Sequence, residues 1–155
     1  MSEPKSARAL NVLLELPESL LSGLFKDATP HSVREGEALF QAGDAGDGCY
    51  HIKSGLVKVV VASQHGEERI ISLQGPGAIV GELSMIDGGP RAASVVAIAD
   101  CSLSLISREK FQKYVEAHPE LMSYLARILA RRLREADDAL AAATFLSVKG
   151  RLARA

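Results

Sequence analysis

Residues 81–95 read Gly-Glu-Leu-Ser-Met-Ile-Asp-Gly-Gly-Pro-Arg-Ala-Ala-Ser-Val and bring one acid and one base together among small and apolar side chains. Arg91 offers a planar fork of donors that suits a phosphate. Glu82, when ionised, only accepts hydrogen bonds, and so suits a pair of hydroxyls such as a ribose edge. Gly81, Gly88 and Gly89 let the backbone approach a ligand closely and take positive φ. The small side chains of Ala92 and Ala93 leave their N–H groups open to an anion. An anion site beside a hydroxyl acceptor describes a sugar phosphate whose phosphate carries little charge. An isolated Glu and Arg would read as a surface ion pair on a glycine-rich turn. The complete spaced pattern favours a site.

Those residues need a frame to hold them. Between about residue 28 and residue 106 the chain reads as short strands cut by glycine turns, among them 38–40, 49–52, 56–61, 69–73, 79–80, 95–98 and 103–106. A turn spans 42–48, and His65-Gly66 sits at a hairpin tip. Many short strands at regular spacing argue for a β-sandwich or jelly-roll barrel. Helices flank it. Residues 10–25 read as one helix, with Pro17 in a first-turn position and Leu20, Leu21 and Leu24 on its apolar face. After Ser107, a suitable N-cap, the period changes from two to near 3.6, and a helix over 108–116 is expected. His118-Pro119 ends it. A long helix then runs from 119 to about 143, with Leu125, Leu129, Leu133, Ala136, Leu140 and Ala143 three or four residues apart. At 1.5 Å per residue a helix of ~25 residues extends roughly 37 Å, more than a small barrel needs as cover. Its leftover stripe predicts a partner helix, most simply that of a second copy.

Composition narrows the class. The chain has 155 residues, 47% hydrophobic and 24% charged, and a formal net charge of -1. That suits one domain with a sizeable core and leaves no basic footprint for nucleic acid. No apolar run is long enough to span a bilayer, and Met1-Ser2-Glu3-Pro4-Lys5 lacks the layout of a secretory signal, so the cytoplasm is the expected location. Cys49 and Cys101 sit in apolar, strand-like contexts and read as free buried thiols. Two distant cysteines cannot hold an iron–sulphur cluster. His31, His51, His65 and His118 follow no haem- or metal-binding spacing. No Ser–His–Asp or Cys–His arrangement can be argued, so the chain reads as non-enzymatic and without a metal.

The 81–95 segment resembles the phosphate-binding cassette of cyclic-nucleotide-binding domains. The family pattern is Gly-Glu-Leu, a short variable turn, then Arg-(Ala/Ser/Thr)-Ala-(Ser/Thr)-Val, and it is met by Gly81, Glu82, Leu83, Arg91, Ala92, Ala93, Ser94 and Val95. The resemblance implies that Arg91 binds a cyclic phosphate and Glu82 a ribose 2′-hydroxyl, with Gly81, Leu83, Ser84, Ala92 and Ala93 also lining the ligand. It implies a double-stranded β-helix, or jelly-roll, barrel followed by a long dimerisation helix. Residues 34–44 and 50–59 resemble the family's first β-roll turn and next hairpin.

Residues 129–134, Leu-Ala-Arg-Arg-Leu-Arg, resemble the central helix of Crp–Fnr, or catabolite-activator-type, transcription regulators. Residues 145–154 resemble the approach to their DNA-binding domain. This division gives a cyclic-nucleotide-binding domain over 1–118, a central dimerisation helix over 119–144, and the start of a DNA-binding domain over 145–155. Too few residues follow to build a helix-turn-helix, so DNA contact would need a further C-terminal part. In cAMP-responsive members a Thr-Ser pair on the central helix meets the adenine amino group; the matching positions here are Ala136 and Asp137. Asp137 could accept from an exocyclic amino group or belong to a solvated face with Asp138. Arg132 could meet the base, pair with Glu82, or lie on the surface. Ala92, directly after the Arg, leans the ligand to cAMP over cGMP. The implied protein is a cAMP sensor and homodimer that regulates transcription. The alternatives are a regulatory module of a kinase, channel or transporter, or an orphan sensor with another effector.

Overall fold

The computed structural model describes residues 11–153. Expectations for 1–10, 154 and 155 lie outside the described residues. Eight strands form two four-stranded antiparallel sheets. They are β1 (Thr29–Val33), β2 (Ala38–Phe40), β3 (Gly48–Ser54), β4 (Val57–Ala62), β5 (Glu68–Gln74), β6 (Ile79–Val80), β7 (Ser94–Ala97) and β8 (Cys101–Ser107). One sheet has the order β1-β8-β3-β6, the other β2-β7-β4-β5. Four α-helices accompany them: α1 (Glu18–Phe25), α2 (Glu82–Asp87), α3 (Arg108–Ala117) and α4 (Glu120–Ala153). The sandwich with flanking helices and a long C-terminal helix is the architecture expected from the sequence.

Away from its exposed edge strand β1, the first sheet is largely buried on both faces, and its side chains sort by the two-residue period of a strand. Tyr50, Ile52, Val80, Cys101 and Leu103 face the second sheet and pack with Val57, Val59, Val95 and Ala97. Cys49, Ile79 and Ile106 point the other way, into a layer made by Leu13, Leu24, Phe111, Leu121, Leu125 and Ile128. The helices are therefore part of the core. Truncating Leu125, which is 1% exposed, to Ala would cost about 2–5 kcal/mol. Both cysteines are free and buried.

Several elements differ from the sequence reading. The helix expected over 10–25 is split. Val12–Glu15 forms a single 3-10 turn, Leu16 is extended (φ -67, ψ 153), and α1 starts only at Glu18. Pro17 is the cause, since a proline pushes the residue before it out of the helical region. The strand β1 contains Pro30, which its edge position tolerates because β1 pairs with β8 alone. The turn expected inside the cassette contains α2. The long helix does not stop near 143 but continues unbroken to Ala153. Ala139 and Ala141–Ala143 favour helix, no proline follows, and the single Gly150 costs only about 1 kcal/mol. The Ser107 cap is as expected, with its Oγ accepting from the Lys110 N–H at 3.2 Å.

Candidate functional site

Arg91 is 3% exposed, and its guanidinium is held from three sides. Nη1 donates to the Gly81 carbonyl at 2.8 Å. Nη2 donates to the Gly48 carbonyl at 2.5 Å and lies 3.3 Å from Asp47 Oδ1. The Phe40 ring closes the third side, its centroid 4.0 Å from Arg91 Cζ, a cation–π contact. Gly81 makes the approach possible. Its φ is +85°, and a Cβ there would lie 2.6 Å from Arg91 Nη1. A side chain at this position would displace the guanidinium and strain the backbone. Arg91 Nε has no hydrogen-bond partner.

Glu82 follows Gly81 as the first residue of α2 and is 1% exposed. Its Oε1 accepts from the Asn11 backbone N–H at 3.1 Å. Its Oε2 has no partner. Burial pushes the carboxyl up to about 7, against the opposing pull of the Asn11 and Val12 N–H groups and the Arg132 guanidinium. A buried charge without full pairing is costly, which explains that direction. Next to it, burial also pushes the Cys49 thiol up to about 12, so that sulfur is an inert core group.

Glu82 and Arg91 share one narrow cleft of about 60 Å³. Its walls are Phe40, Val59 and Val80, with Gly81, Glu82, Leu83, Ser84, Arg91, Ala92, Ala93 and Val95 from the 81–95 segment; Ser94 instead accepts from the Ala42 N–H. The cleft is thus lined by a buried guanidinium and a buried carboxyl, each with one atom lacking a hydrogen-bond partner, on a largely apolar surface. Such a surface can take a ligand with an anionic group, adjacent hydroxyls and a flat apolar part. Among the described residues no group of His, Cys, Asp or Glu is placed to hold a metal.

A family model for the cyclic nucleotide-binding domain matches residues 30–118. The chain belongs to the cyclic-nucleotide-binding domain family. Within it, the chain is similar to regulators of the catabolite-activator type. A CRP-like cAMP-activated global transcriptional regulator from Mycobacterium tuberculosis is 35% identical over 136 residues, covering 88% of this chain and 61% of that protein. The N-terminal domain of a transcriptional regulator from Streptomyces coelicolor A3(2) matches with TM-score 0.70 and 31% identity, over 88% of this chain and 95% of that one. The Thermus thermophilus catabolite activator protein matches with TM-score 0.71 and 33% identity, over 87% of this chain and 63% of that one. The chain spans about three fifths of the length of the curated relatives it matches.

The three central-helix candidates on α4 are not among the residues that line the cleft. Ala136 and Asp137 are exposed on α4. Arg132 is engaged near the base of that helix: its Nε donates to Glu15 Oε2 at 2.7 Å. Arg131 pairs with the other oxygen of the same carboxylate. Arg132 thus joins Arg131 in a fork on Glu15, and its charge also acts on Glu82. Sequence reasoning missed Phe40, Asp47, Gly48 and Asn11 as parts of the site. The turn 42–48 carries enough glycine and aspartate to mark Asp47 and Gly48 as turn residues. Nothing in the sequence pairs that turn with Arg91, 43 residues on.

Proposed function

We propose that this chain is the cAMP-sensing and dimerisation part of a ligand-gated transcription regulator in the cytoplasm. One observation carries the ligand reading. A deeply buried guanidinium and a deeply buried carboxyl line one cleft, and each keeps an atom without a partner, Arg91 Nε and Glu82 Oε2. A buried polar atom without a partner costs free energy, so both atoms favour a ligand that satisfies them together. A cyclic phosphodiester, with one negative charge, offsets the guanidinium and leaves a nearly neutral pair. A ribose hydroxyl offers a donor to the carboxylate. Ala92 beside Arg91 has no hydroxyl for a guanine and favours cAMP over cGMP. The relatives named as cAMP-activated support the same reading.

The central helix supports the dimer. Leu133 and Leu140 lie one heptad apart on α4 and are 63% and 67% exposed in the single chain. Two copies of this face would cover each other. Ala136 and Asp137 lie on the same stretch, where a base reaching out of the cleft of either copy could meet them. Ligand then biases the helix pair by its difference in affinity for two arrangements, and the helix carries that bias toward a DNA-binding part.

Calorimetric titration of cAMP and cGMP into the chain and into Arg91→Ala tests the proposal. Clear cAMP binding that weakens more than tenfold in Arg91→Ala is expected, since losing a buried charged contact costs about 2–5 kcal/mol. No heat with either nucleotide, in folded protein freed of co-purified ligand, overturns it.

A further inference from the structure

Asn11 is the only non-glycine residue with positive φ among the described residues, at φ 60 and ψ 34. It is only 9% exposed and touches three elements at once. Its side-chain Oδ1 accepts from the backbone N–H of Ile79, at the start of β6, at 2.8 Å. Its Nδ2 donates to Gln74 Oε1, at the end of β5, at 3.0 Å. Its own N–H donates to Glu82 Oε1 at 3.1 Å.

The polarity of this network is fixed. A backbone N–H can only donate, so Oδ1 must face Ile79, and Nδ2 must then find an acceptor in Gln74. Gln74 in turn donates to Ser72 Oγ. The left-handed backbone conformation, which Asn tolerates better than most residues, aims the Asn11 N–H at the carboxylate. The final torsion of a glutamate side chain is broad, so a carboxylate with two free oxygens would be poorly oriented. Holding Oε1 fixes where Oε2 points, and Oε2 is the atom left without a partner.

We infer that Asn11 is the positioning residue of this ligand site: its side chain clamps a strained turn whose N–H holds one Glu82 oxygen and leaves the other for a ligand hydroxyl. The inference rests on the cyclic-nucleotide reading of the same cleft. It assigns a ligand-orienting role to the N-terminal turn, which lies 71 residues from Glu82 in sequence. Oriented acceptors discriminate: a site built to meet a hydroxyl rejects the analogue lacking it more strongly than an unoriented one.

The test is a ligand-by-variant cycle with cAMP and 2′-deoxy-cAMP. The probed variants are Asn11→Gly, Glu82→Ala and the double variant. Glycine keeps the backbone N–H and the positive φ but removes both side-chain clamps. Wild type is expected to prefer cAMP by tenfold or more. Asn11→Gly should lower that preference severalfold toward the Glu82→Ala value, and should lower it no further in the Glu82→Ala background. If Asn11→Gly does not fold, Gln74→Met loosens the same clamp from the other side and should move the ratio in the same direction. A clamp that only stitches the turn to the barrel would lower the melting temperature and leave the preference unchanged, which overturns the inference. Equal binding of both nucleotides to wild type also overturns it while leaving the nucleotide site standing. No binding of either removes both readings.

Discussion

Burial of Glu82 should make the protein less stable as pH rises through neutrality, and Glu82→Gln should remove that loss. The folded carboxyl titrates at about 7 instead of the usual 4.5, principally because it is desolvated. Between those two values the folded state holds a proton that the unfolded chain has released. The unfolded chain therefore binds fewer protons, and stability falls with rising pH until the folded pKa is passed. A shift of this size is on the order of 3 kcal/mol, at about 1.4 kcal/mol per unit. Part of it is already lost near pH 5, so the change between roughly pH 5 and 8 is about 2–3 kcal/mol. Glutamine keeps the shape and the acceptor for the Asn11 N–H but does not ionise. Urea unfolding of wild type and Glu82→Gln at both pH values isolates the effect. The variant should gain about 2–3 kcal/mol relative to wild type on going to the higher pH. A stability difference that does not change with pH would refute the desolvation argument. The same linkage bears on the ligand. A hydroxyl donating to the ionised carboxylate favours that form, so nucleotide affinity should rise with pH until Glu82 is fully ionised, with proton release on binding below that point.

Gly81→Ala should weaken both fold and site, because the added Cβ meets Arg91 Nη1 at 2.6 Å on a backbone of φ +85°. A stability loss of about 1–3 kcal/mol by urea unfolding is expected, together with reduced nucleotide affinity; unchanged affinity would show that the guanidinium does not need this approach. Paired Leu133→Asp and Leu140→Asp substitutions on the exposed face of α4 should convert a dimer to a monomer in sedimentation while the barrel keeps its melting temperature. A monomeric wild type would refute the packing argument.

The grouping of the cassette residues was legible because it depends on residue types at fixed spacing: Gly81, Glu82, Arg91 and Ala92 all line one cleft. The sandwich was legible from glycine turns and short apolar runs. What escaped were features that depend on contacts distant in sequence. The helix α2 has only six residues, too few for a helical period to register against its glycine flanks. Strand β1 is an edge strand carrying Pro30, which reads as a loop until its pairing with β8 is known. The break at Leu16 could have been read from Pro17 and was not. Asn11 looks like any turn or cap residue; its role comes from Gln74, Ile79 and Glu82 meeting around it. Arg132 donates to the carboxylate of Glu15 while its charge also acts on Glu82. One-dimensional spacing could not rank those two acids.

The length of α4 has a mechanical consequence. Its buried side chains, Leu121, Leu125 and Ile128, all lie near its start. From Ile128 to Ala153 the helix runs on for ~25 residues, roughly 37 Å at 1.5 Å per residue. The element is held at one end like a pointer on a pivot. A tilt of about 5° at the root, no more than a side-chain repacking beside Glu15 and Arg131 would need, moves the tip by roughly 3 Å over that length. Displacements too small to see at the cleft are magnified along the shaft. Small adjustments in the packing at the root therefore become displacements of several Å at the far end.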